Sequence, residues 1–122
     1  MTFCAVPEPS MQPDDRVRLL HMLEAADAAT GFMAGRSRAD LDSDRMLMFA
    51  VVRAIEVVGE AANHVSNDGR ALIPSLPWPA IVGMRHRIVH AYFDVDPDTV
   101  WKTVMDELPV LSTALQAALQ QT

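Results

Sequence analysis

The stretch LMFAVVRAIEVVGEAANHV, Leu47 to Val65, decides the fold. Leu47, Ala50 or Val51, Ala54, Val58, Ala61 and Val65 recur at three and four residues, and Met48, Val52, Ile55, Gly59 and Ala62 form a second apolar row beside them. A helix with two apolar faces is covered from two sides, so it belongs inside a helical bundle. Asp42 or Ser43 stands where its N-cap is expected, and Gly59 with the alanines lets a neighbouring helix come close. Between the rows runs a polar line of Arg53, Glu56, Glu60 and then Asn63 or His64. Charges on so apolar a helix must be paired or face a wet cleft, because burying them alone is costly. Two readings follow: an ion-pair ladder of Arg53 with Glu56 and Glu60 with His64, or one wall of a cleft.

The flanking segments read as helices too. Upstream, Pro13-Asp14-Asp15 suits a first helical turn, and Val17, Leu20, Leu23, Ala26 or Asp27, Thr30 and Met33 give one apolar stripe ending near Gly35. His21 on that helix reads as a surface or boundary residue. Ser37-Arg38-Ala39-Asp40 fits a capping box over a turn or so. Downstream, Ser66-Asn67-Asp68-Gly69 ends the long helix, and Pro74, Pro77 and Pro79 keep the chain extended up to a third helix, with Pro79 in its first turn and Trp78 as an apolar staple. Asp96 and Pro97 open a fourth helix, on which Val100 or Trp101, Val104, Leu108, Leu111, Leu115 and Leu119 recur, with a kink expected before Pro109. No strand-like alternation and no repeat competes. The expected architecture is an all-α, up-and-down bundle of four to five helices.

Length and composition fit one such unit. At 122 residues the chain buries roughly two-thirds of its unfolded surface, and a single domain over residues 13–122 is expected behind a leader of residues 1–12. Cys4 lies in the leader and has no second cysteine to pair with. No apolar run reaches the roughly 18 residues of a membrane span, and the first residues lack a basic leading region, so no membrane role and a cytoplasmic location are expected. The net charge of −6 and pI near 5.0 exclude a broad basic nucleic-acid surface. Positive charge is concentrated locally instead.

That concentration is MRHRIVHAYF, Met84 to Phe93, where Arg85, His86, Arg87 and His90 crowd next to the chain's one tyrosine, Tyr92. Read as helix, residues 86, 90 and 94 share a face, and the guanidinium of Arg85 can reach toward a cleft served by His90. An imidazole for proton transfer beside a guanidinium for phosphate charge is the pairing a phosphodiester-cleaving site needs. A metal reading takes His86, His90 and Asp94 at i, i+4 and i+8 as ligands, but it lacks a closed ligand set. Tyr92 by itself reads as a core residue with its hydroxyl at the rim.

Arg85, four intervening residues, His90, one residue and Tyr92 resemble the R-x4-H-x-Y motif of HepT-like toxins of the HEPN/MNT toxin–antitoxin family. RAIEVVGEAANHVS (Arg53 to Ser66), IPSLPWPAIVGMRHRIVHAYFDVD (Ile73 to Asp96) and VWKTVMDELPVL (Val100 to Leu111) resemble its other segments, in order. The resemblance begins near Pro13, which makes Met11 a candidate start, and it implies a homodimeric HEPN bundle and the toxin of a type VII system. It implies metal-independent RNA cleavage with Arg85 and His90 as catalytic residues, and no cofactor. Arg53, Glu56, Glu60, His86 and Arg87 are expected to support the cleft. The implied antitoxin is an MNT-type nucleotidyltransferase that attaches AMP to Tyr92. The family's small amide-type residue after the arginine is replaced here by His86. An alternative class is a non-catalytic regulatory or substrate-binding companion of a nucleotidyltransferase.

Overall fold

Helices cover most of the described residues, and their packing follows from the apolar rows. The structure is a computed structural model that describes residues 11–91 and 94–121, with side chains for all of these except 89–91 and 94. The expected leader, apart from Met11 and Gln12, lies outside the described residues, as does Tyr92. In order come α1 (Pro13–Met33), α2 (Asp40–Ser43), α3 (Arg45–Asn63), α4 (Asn67–Ala71), α5 (Trp78–Val82) and α6 (Met84–Ile88). A two-stranded antiparallel pairing, β1 (Val89–Ala91) with β2 (Asp94–Val95), leads to α7 (Pro97–Lys102), a π-helical turn at Thr103–Glu107 and α8 (Leu108–Gln120). The result is an all-α bundle of the HEPN type, with that small pairing as its one extended feature among the described residues.

Helix α3 is the centre. It packs on α1 and on α5 and α6, while α8 packs on α1. Val51, Ile55 and Val58 of α3 are fully buried with Leu19 and Met22 of α1, Ile88 of α6, and Leu108 and Leu115 of α8. Each such side chain removed from water contributes about 1.5–3 kcal/mol before its entropy cost. None of the described helices is long and apolar enough to cross a membrane.

Four local expectations are corrected. On α1 the buried row is Leu19, Met22, Ala26, Ala29 and Met33, whereas Val17 and Leu20 are 45% and 37% exposed. Both rows obey the same three-and-four spacing, and the alanines permit the closest helix approach. The N-cap of α3 is Asp44, whose carboxylate accepts from Leu47 N at 3.1 Å, in place of Asp42 or Ser43. At α2 the capping box is only half made: Ser37 N donates to Asp40 Oδ2 at 2.7 Å, while Asp40 N donates to the Ser37 backbone oxygen at 3.0 Å.

The fourth correction bears on function. The third helix does not continue to Phe93. Helical bonds run through Gly83, from Gly83 N to Pro79 O and from Arg87 N to Gly83 O, but the helix stops at Ile88. Val89 then pairs with Val95, and Asp96 N donates to Ile88 O at 2.9 Å. Val89 and Val95 are β-branched, and their preference for extended backbone prevails over the helical motif spacing where the two pair.

Two further details hold the site's frame. Pro109 has no N–H to give Met105 O, and the ladder widens into the π turn immediately before it. At the other end of the bundle the buried Asp15 accepts from Ser66 N at 2.8 Å and Ser66 Oγ at 2.6 Å, tying the first turn of α1 to the segment after α3.

Candidate active site

The polar line of α3 faces a groove, closed on the opposite side by the motif helix. Glu56, Gly59, Glu60 and Asn63 of α3 line it with Val82 of α5 and Arg85 and His86 of α6, around about 320 Å³. Gly59 sets the spacing, since a Cβ there would stand 3.3 Å from Val82 O. An alanine there asks α5 to give by a few tenths of an ångström, and a larger side chain by more.

Arg85 Nε donates to Glu56 Oε2 at 2.7 Å. The Arg85 side chain stays 53% exposed. An exposed ion pair of this kind contributes only about 0–1 kcal/mol, so an incoming phosphate displaces or shares it at little cost. Because the bond uses Nε, the four amino N–H donors of the fork are not taken up by that carboxylate, and a planar fork matches phosphate oxygens well.

The ladder expected along α3 is corrected at the same time. Glu56 pairs across to Arg85, Arg53 NH1 reaches Glu60 Oε1 at 3.2 Å, and His64 makes no pair with Glu60. The cause is register: Arg53 and Glu60 lie two turns apart on one face, and Glu56 points between α3 and α6. Arg87 forks onto Glu107 of the π turn at 3.1 and 2.9 Å and is not part of the groove lining. His86 lines the groove and makes no side-chain hydrogen bond with described residues. The structure thus brings Arg85, His86, Glu56 and Glu60 together, holds Arg53 at the rim through Glu60, and sets Arg87 aside.

His90 lies in β1, two residues past the end of α6, so its backbone no longer shares a helix with Arg85. The helical stripe of His86, His90 and Asp94 is absent for the same reason. No group of three or more His, Cys, Asp or Glu side chains among the described residues is placed to hold a metal.

One constellation escapes sequence reasoning. Arg18 and His21 of α1 share a second groove of about 410 Å³ with Val57, Glu60, Ala61, Asn63 and His64. Periodicity within one helix carries no signal for a juxtaposition of two.

A HEPN-type helical bundle, with an arginine-bearing groove between its central helix and a short motif helix, defines the class. The chain belongs to the Ribonuclease HepT-like family, whose model matches residues 22–118. It is 31% identical over 103 residues to the Methanocaldococcus jannaschii protein named "Putative RNase MJ1380", covering 84% of this chain and 94% of that one. It is 43% identical over 72 residues to the Thermococcus cleftensis protein named "Probable ribonuclease HepT", covering 59% and 66%. A Caldanaerobacter subterraneus protein named "Putative RNase TTE0752" is 32% identical over 106 residues, covering 87% and 95%. No solved structure matches the chain.

Proposed function

We propose that this protein is a metal-independent endoribonuclease, the toxin of a type VII toxin–antitoxin pair, acting as a homodimer. The observation that carries this reading is Arg85, placed in an open groove with its amino donors unclaimed by Glu56 and five residues before His90. In the reaction the ribose 2′-oxygen forms a bond to phosphorus and the bond from phosphorus to the 5′-oxygen breaks. A cyclic phosphate and a 5′-hydroxyl result. One His90 takes the 2′-hydroxyl proton, and the second copy's His90 protonates the leaving 5′-oxygen. Arg85 stabilises the charge that builds on the non-bridging oxygens as phosphorus becomes five-coordinate. Two copies facing each other concentrate cationic side chains in one cleft, which suits an acidic chain of net charge −6.

Regulation follows from the position of Tyr92 two residues past His90. A nucleotidyltransferase antitoxin that attaches AMP there places bulk and negative charge beside the imidazole and silences the site. A second reading, a non-catalytic companion of such a transferase, is favoured by the acidic net charge and by His86 beside Arg85. Growth on expression of the lone protein, with Arg85→Ala and His90→Ala alongside, separates the two. Arrest by the wild type alone supports the ribonuclease; equal arrest by all three removes it, and arrest by none favours the companion.

A further inference from the structure

Three of the chain's four histidines line two grooves on either side of the exposed ridge of α3, and these grooves meet. His86 belongs to the Arg85 groove, His21 and His64 to the second one, and Glu60 and Asn63 line both. The fourth histidine is His90 of the motif. Arg18, His21 and His64 have no side-chain hydrogen bond or ion pair with described residues. The acid shared by the two grooves, Glu60, is already matched by Arg53 at 3.2 Å. The carbonyls at the end of α3, which would repel an anion, are covered by Arg70, whose Nε donates to Val65 O and whose NH2 donates to Ala62 O, each at 3.2 Å. The floor of the second groove is therefore a set of unengaged donors in a place where the nearby negative charge has been answered.

We propose that the groove between α1 and α3 is a second phosphate-binding subsite for single-stranded RNA, in which Arg18, His21 and His64 hold the sugar-phosphate backbone of a strand whose scissile linkage lies in the Arg85 groove. The inference rests on the ribonuclease reading and extends it from one linkage to a strand. Arg18 supplies the permanent charge and the imidazoles supply directional donors, with no base edge read, so the subsite adds affinity for length and not for sequence. The short crossing at Glu60 and Asn63 gives the strand its path between the two grooves.

The test uses the full chain carrying His90→Ala, so that RNA is bound and not cut, and a labelled single-stranded RNA of about a dozen nucleotides, within the site sizes common among single-strand binders. Arg18→Gln and the double change His21→Gln/His64→Gln are compared with it by fluorescence anisotropy over a salt series, with melting curves to confirm folding. Each variant is expected to weaken binding several-fold, and Arg18→Gln to reduce the slope of log affinity against log salt by about 0.7. Arg18→Lys restores the slope. In the His90 background the same variants cleave a dinucleotide at the wild-type rate, because that substrate does not reach the second groove. If the protein with His90 cuts RNA while the substitutions at 18, 21 and 64 change neither affinity nor salt slope, the subsite is refuted and the ribonuclease reading stands. If that protein neither binds nor cuts RNA, both fall.

Discussion

Arg85 and Glu56 are joined through Nε and Oε2 at 2.7 Å, so the motif helix α6 is fastened to the central helix α3 at the side chain proposed to meet phosphate. The bond orients the guanidinium without using its amino edge. On the proposed reading, removing the guanidinium removes a transition-state donor. Arg85→Ala is expected to lower RNA cleavage by about 10²–10³-fold. Glu56→Gln, which keeps an acceptor and removes only the charge, is expected to change it by less than about 10-fold. Cleavage of a fluorescent RNA reporter measures both, and an Arg85→Ala protein as active as wild type would sink the assignment of Arg85.

Gly59 tests the spacing of the groove. Alanine gains about 1 kcal/mol of helix propensity over glycine, and the contact of 3.3 Å to Val82 O asks only for a small shift, so Gly59→Ala should lie within about 1 kcal/mol of wild type. Gly59→Val adds overpacking of about 1–3 kcal/mol and pushes α5 and α6 from α3. Urea unfolding reads the stability, and cleavage is expected to fall further in the valine variant than in the alanine one.

Asp15 and Gly69 form one clamp. Asp15→Ala strips the partner from Ser66 N and Ser66 Oγ and is expected to cost about 1–3 kcal/mol. Gly69→Ala would set a Cβ 2.6 Å from Asp15 Oδ2, an oxygen held in place by Ser66, and destabilises by forcing that carboxylate out. Because both changes break the same contact, the double variant should lose less than the two single losses added together in denaturant unfolding.

Acid sensitivity should trace to the segment that opens α3. The Leu47 amide first, and then the Arg36 guanidinium, hold the Asp44 carboxyl below its ordinary value of 3.8, and the Ser37 amide does the same for Asp40. A carboxyl whose folded value is depressed contributes stability that is fully present above the unfolded value and is lost as pH falls through the folded one. The melting temperature of Asp44→Ala is expected to be lower than wild type at neutral pH, and the gap to narrow below about pH 3.8, where the neutral carboxyl keeps only its uncharged capping bond. A gap that stays constant down to strongly acid pH would show that ionisation of Asp44 plays no part.

How much of this was legible in the sequence varies with the range of the forces involved. The two apolar rows of α3 and the leucine row of α8 are periodicities within one element; the α8 leucines and most of the α3 rows are buried as that spacing implies, with Met48 and Val52 half-buried. The face of α1 was not legible, because two rows obeyed the same spacing and only packing against α3 and α8 chose between them. The end of the motif helix was not legible either, because it depends on Val95 being in place to pair with the β-branched Val89.

The sequence alone determined the class of fold and the candidate pair of Arg85 and His90, since hydrophobic spacing and a short motif are properties of neighbouring residues. Only the tertiary structure decided that Glu56 binds Arg85 in preference to Arg53, that Arg87 turns away to Glu107, and that His21 and His64 share a groove. Those outcomes depend on which helices lie side by side, and the contact between two helices is fixed by the whole packed core.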